Sequence, residues 1–129
     1  MIYIAGPFFT GEERAFLKIV IESVKEIFPN EELFIPMEHF IPNGENLSNN
    51  EWAEAVFKMD VEALNKCDRV VAAYLVLYSD TGTAWEIGYA YAKGIPVNLI
   101  LSPEALEGEV SIMPIQSSKY LLRNNLNQK

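Results

Sequence analysis

Cysteine and histidine are almost missing from this chain: Cys67 and His39 stand alone. A single cysteine excludes a disulfide framework and a cysteine metal site, and it fits a reducing, cytoplasmic compartment. The lone histidine sits in a loop with no cysteine or carboxylate at ligand spacing, so it reads as a surface or lid residue and no metal is expected. Positive charge is scarce as well. Against 18 acidic residues there are 10 basic ones, a net charge of −8, and no basic cluster offsets it locally. Such a surface repels nucleic-acid backbones and anionic membranes, so neither is an expected partner, whereas a small neutral molecule is compatible. No apolar run reaches membrane-spanning length; the longest, Val70 to Tyr78, suits a buried strand. The chain enters Ile2-Tyr3-Ile4 without the basic and apolar regions of a secretory leader. It has no Walker loop, no GxGxxG and no GxSxG, and Gly82-Thr83 is too little to cradle a phosphate.

Hydrophobic side chains make up 50% of the 129 residues, enough for one core and too few residues for two. With no repeat or linker, residues 1–129 read as a single domain. Strand and helix patterns alternate along it. Residues 1 to 6 read as a strand ended by Gly6-Pro7, and residues 11 to 28 as an amphipathic helix with Phe16, Leu17, Val20, Val24, Ile27 and Phe28 on its apolar side. Leu33 to Ile35 form a short strand. The loop from Pro36 to Asn50 is long for a compact domain and reads as a lid or binding loop. A second helix is expected from about Glu51 to Lys66, and a central strand from Arg69 to Tyr78. A third helix follows from Thr81 to Lys93, capped by Gly94, and then a strand over Val97 to Leu101. Residues 103 to 117 read as irregular or weakly helical, with an edge strand over Lys119 to Leu122. The fold class predicted is α/β: an open, flavodoxin-like parallel sheet of about five strands with helices on both faces. In such sheets ligands bind outside the carboxyl ends of the strands, which points to Gly6 through Phe9, the loop after Ile35, and Tyr78 through Gly82.

Two carboxylates stand where they need a reason. Glu86 is the one charged residue in the apolar helix from Thr81 to Ala92, and a lone carboxylate in a buried helix is costly unless paired or used. Favourable interaction with the helix dipole is the plainer explanation. Asp60 shares a stripe with Val56, Ala63, Leu64 and Cys67, so it faces the core, where it either holds loop backbone or serves chemistry. Two inward carboxylates converging on one crevice suit acid–base and nucleophilic work at a glycosidic carbon. Asp80 either caps the following helix or binds a ligand. Tyr3, between Ile2 and Ile4, has a core position by default.

Together these residues resemble the nucleoside 2-deoxyribosyltransferase family. Ile2-Tyr3-Ile4-Ala5-Gly6-Pro7 looks like the family's opening strand, and Asp60 like its base-side aspartate. Asp80-Thr81-Gly82-Thr83-Ala84-Trp85-Glu86-Ile87-Gly88-Tyr89-Ala90 looks like its central signature, and Ser111-Ile112-Met113 like a segment that enters the neighbouring subunit's site. The resemblance implies a transferase that exchanges a free nucleobase on a 2′-deoxynucleoside by double displacement, without a cofactor, in a homo-oligomer with shared sites. Glu86 would be the nucleophile, Asp60 the proton donor to the leaving base, and Tyr3 the residue orienting Glu86. Asp80 would meet a free 5′-hydroxyl with the partner's Ser111 beside it; Gly6, Phe9, Gly82 and Met113 complete the implied substrate contacts. Ser111 stands where classical members have Asn, and Phe40 where they have Gln. A monophosphate N-glycosidase of the same fold and a non-catalytic nucleotide-sensing module are the alternatives.

Overall fold

The computed structural model describes residues 1–75, 80–102 and 111–118, together with the backbone of 120–123. Its strands are β1 (Ile2–Ala5), β2 (Leu33–Phe34), β3 (Arg69–Tyr74), β4 (Val97–Leu101) and β5 (Tyr120–Arg123). They form one sheet in the order β2-β1-β3-β4-β5, every pair parallel. This is the flavodoxin order, with β2 contributing only two residues at one edge. The helices are α1 (Gly11–Ile27), α2 (Asn49–Lys66), α3 (Thr81–Ala92) and the five-residue α4 (Ile112–Gln116).

Alternation along the strands divides the core into two layers. Ile2, Ile4, Val71, Ala73 and Ile100 pack with Leu17, Val20, Ile21 and Val24 of α1. Tyr3, Ala5, Val70, Ala72 and Tyr74 point the other way, onto Ala63 and Leu64 of α2 and Ile87 and Ala90 of α3. The two-residue period therefore aims Tyr3 at the helices that carry Asp60 and Glu86. β1 and β3 lie side by side while the chain leaves them in opposite directions across the sheet. Their carboxyl ends border the switch-point crevice.

Local chemistry sets the helix ends. Thr10 with Glu13 and Ser48 with Glu51 form reciprocal capping boxes, so α2 starts two residues before the expected Glu51. Gly94 closes α3 with φ of 75°, as its left-handed cap requires. The Pro36 to Asn50 stretch is not a plain loop: it holds 3-10 turns over Pro36–Glu38 and Gly44–Asn46, and its last two residues already belong to α2. On α1, Ile21 joins the core whereas Ile27 is partly exposed near the helix end. α4 gives regular form to part of the stretch expected to be irregular or weakly helical. The predicted third strand ends, among the described residues, at Tyr74; Val76 to Tyr78, residues 103–110, and Lys119 lie outside them.

α3 is not buried all round. Thr83, Ile87 and Ala90 face the sheet, but Trp85 is 47% and Tyr91 65% exposed, because one sheet face covers only one side of the helix. No helix among the described residues is long and apolar enough to cross a membrane.

Candidate active site

At the carboxyl ends of β1 and β3 a cavity of about 850 Å³ opens between the first loop, the Pro36 to His39 turn, α2 and the start of α3. Gly6 lies at its floor, where the chain passes close to β3: a Cβ there would meet Ala73 Cβ and Leu17 Cδ1 at 3.0 Å. Phe8 and Phe9 follow as one wall, stacked on each other. Their backbone is pinned by α1, with Glu13 Oε1 accepting from Phe9 N at 2.9 Å and Arg14 Nη1 donating to both carbonyls.

Tyr3 and Glu86 are 83 positions apart in sequence, yet the Tyr3 hydroxyl donates to Glu86 Oε2. Tyr3 is fully buried, so it is both the core residue its strand position implies and a polar partner. Burial and the Glu86 charge push its phenol well above the ordinary range, which keeps it a donor. Glu86 is pushed up to about 7, chiefly by burial and further by the charges of Asp60 and Asp80, against the opposing pull of the Tyr3 hydrogen bond. A carboxyl poised near neutrality is partly ionised at pH 7, and in that form a desolvated carboxylate can act as a nucleophile. Glu86 lies in the second turn of α3 rather than the first, which weakens the helix-dipole explanation.

Asp60 faces the same cavity from α2. Its Oδ1 is buried and has no hydrogen-bond partner among the described residues, which removes the reading that it holds loop backbone through that atom. Burial raises its pKa while the charge of His39 pulls it back. Asp80 caps α3: its Oδ2 accepts from Thr83 N at 2.9 Å and from Thr83 Oγ1 at 2.6 Å. Capping does not exclude a ligand role, because Asp80 lines the cavity as well, beside Gly82. Glu86, Asp60, Asp80, Gly6, Phe9 and Gly82 thus share one cavity, and Tyr3 reaches it through Glu86. Ser111 and Met113 do not line it; Ile112 and Met113, at the start of α4, are 72% and 71% exposed. Phe40 lies off the cavity and is exposed.

The sequence reading missed most of the aromatic wall. Trp52, Phe57 and Trp85 line the cavity, and Trp85 stacks on Tyr89 while meeting Phe57 edge-on. A signal was present: Trp52, Val56, Asp60 and Leu64 recur every fourth residue on α2, and all four line the cavity. His39 joins them, its ring stacked on Phe34. Flat apolar walls with a few carboxylates suit a small planar ligand joined to a polyol.

The chain and its fold are similar to those of known proteins. The chain is 24% identical to the nucleoside deoxyribosyltransferase of Lactobacillus leichmannii over 120 residues, 87% of this chain and 76% of that protein. Its fold superposes on a 2-deoxyribosyltransferase from Bacillus psychrosaccharolyticus with a TM-score of 0.83 and 30% identity, covering 98% of this chain and 87% of the other. A Clostridium botulinum CMP N-glycosidase shares the fold at a TM-score of 0.61 and 17% identity, over 98% of this chain and 92% of its own. The nucleoside 2-deoxyribosyltransferase family matches residues 2–112, and the chain belongs to that family.

Proposed function

We propose that this protein is a nucleoside 2-deoxyribosyltransferase that exchanges the base of 2′-deoxynucleosides through a deoxyribosyl ester on Glu86. The observation that carries this reading is the part-buried Tyr3–Glu86 hydrogen bond opening onto a cavity that also holds Asp60. In the first half-reaction a Glu86 oxygen attacks the anomeric carbon. The C1′–N bond breaks, its electron pair stays on the base, and Asp60 supplies the proton the base needs. In the second half an incoming base returns that proton to Asp60, attacks C1′ and expels the Glu86 carboxylate. Dividing one hard displacement into two lets a carboxylate nucleophile act. Tyr3, always a donor, holds the attacking carboxylate in place and stabilises it as it is released. Asp80 meets the 5′-hydroxyl with the oxygen not occupied by Thr83.

Ile112, Met113 and Tyr91 are exposed apolar side chains that a second subunit would cover. In this reading the partner's α4 completes the site, which is why Met113 does not reach its own cavity. Mixing inactive Glu86→Ala protein with a Met113→Asp variant should then restore activity above either alone. Full activity of a dilute, verified monomer would refute the shared site.

Incubation with a 2′-deoxynucleoside, with and without a second base, tests the main reading by chromatography. A new nucleoside is expected. Free deoxyribose alone would assign a hydrolase, and no turnover of any deoxynucleoside would leave a sensing module.

A further inference from the structure

Eighteen of the described residues line the cavity, and among these His39 is the only one that can carry positive charge. The others that ionise, Asp60, Asp80 and Glu86, are all acids. Its imidazole is held flat: the ring stacks on Phe34 at 4.1 Å between centroids and 17° between planes. Phe34 in turn stacks on Tyr3 at 5.4 Å and 18°, and the Tyr3 hydroxyl bonds Glu86. One continuous stack of three rings therefore runs from the nucleophile's partner to His39. With one face against Phe34, the imidazole has its hydrogen-bonding nitrogens on the remaining edge of the ring. Asp60 is the other polar group near this wall, and His39 acts on its charge.

Glycosidic cleavage leaves an electron pair on the departing base. Asp60 can deliver one proton, but a base bearing several acceptor atoms spreads the pair beyond the protonated one. A second donor on the base side is worth most at that moment. We infer that His39 is a second base-side catalytic residue, whose edge N–H hydrogen-bonds an acceptor of the nucleobase and strengthens that bond as the C1′–N bond breaks. The inference rests on the transferase reading above and deepens it. The step adds no new proton transfer: C1′–O(Glu86) forms, C1′–N breaks, Asp60 gives the proton, and His39 keeps its own while stabilising the leaving base. In the second half-reaction the same bond weakens as the incoming base spends its electron pair on C1′.

His39→Phe tests this cleanly, because a benzene ring can keep the stack on Phe34 while the N–H is lost. His39 is exposed at the cavity rim, so the fold should persist; Tm and near-ultraviolet circular dichroism check it. Rates are compared across 2′-deoxynucleosides with bases of different basicity and 4-nitrophenyl 2-deoxyribofuranoside, whose nitrophenolate departs without help. With purine deoxynucleosides kcat should fall about a hundredfold, the lower end for one lost transition-state donor, and the deficit should shrink to about threefold for the nitrophenyl glycoside. His39→Gln, which keeps an N–H donor, should recover most of the loss. A deficit equal across the whole series, or confined to KM, would overturn the inference, as would near-normal kcat in His39→Phe. Failure of the unaltered protein to turn over any deoxynucleoside would instead refute the transferase reading itself.

Discussion

Replacing Tyr3 by Phe should move the acid limb of the pH–rate profile upward. In the proposed mechanism Glu86 attacks only when ionised, and its carboxyl is pushed up to about 7 by burial and by Asp60 and Asp80, with the Tyr3 hydroxyl pulling the other way. Removing the hydroxyl removes the pull that favours the charged form. A hydrogen bond to a charged group is worth about 1.5–3 kcal/mol, and 1.36 kcal/mol corresponds to one pKa unit, so the limb should rise by about one to two units. At pH 7 that predicts a loss of roughly five- to fiftyfold in kcat/KM, largely recovered on the alkaline side where the carboxyl is ionised again. The ring itself stays, still stacked on Phe34 in the core, so folding should survive. The assay is kcat/KM for one deoxynucleoside between pH 5 and pH 10, for both proteins, with the base released measured by chromatography. An unmoved limb, or one displaced to lower pH, would refute the reasoning. A deficit of the same size at every pH would assign Tyr3 to something other than the ionisation of Glu86.

Glu86→Gln should abolish transfer, because the amide cannot form the ester, and should also change stability with pH. Below 4.5 the carboxyl is protonated in folded and unfolded chains alike; between 4.5 and about 7 only the unfolded chain ionises it readily, so the unaltered protein loses stability as pH rises through that window. Denaturant melts should show Glu86→Gln more stable by on the order of 3 kcal/mol above pH 7, with the advantage vanishing in acid; a pH-independent difference would contradict the assignment. Asp80→Ser should shift preference from a deoxynucleoside toward its 5′-monophosphate, since unit like charges about 4 Å apart at an effective dielectric of about 20 repel by about 4 kcal/mol. Serine still caps α3, so competition kinetics report recognition rather than folding, and faster turnover of the monophosphate by the unaltered protein would sink the idea. Gly6→Ala should destabilise by about 1–3 kcal/mol, because the new methyl would press on Ala73 and Leu17; an unchanged denaturation midpoint would show that the floor can yield.

Much of this protein was legible in the order of its residues. Apolar runs with β-branched residues, separated by helices of the right length, imply parallel strands, and the capping pairs Thr10/Glu13 and Ser48/Glu51 mark helix starts within one turn. The solitary Glu86 in an apolar helix and the inward Asp60 could be picked out because a charge on a core face always demands a reason. What a period cannot say is which distant residues meet. Only the β2-β1-β3-β4-β5 order, together with the side that Tyr3 takes on β1, brings its hydroxyl to Glu86 across 83 positions. Only packing places His39 over Phe34 beside the carboxylates, whereas in the sequence it is an isolated loop residue. The same holds for α3: its composition reads as buried on every side, but a helix on one face of a sheet has an outer side, and Trp85 and Tyr91 occupy it. Local pattern and capping depend on neighbours within a turn or two and so can be read along the chain. The site depends on crossings and register between segments far apart, which exist only once the sheet has formed.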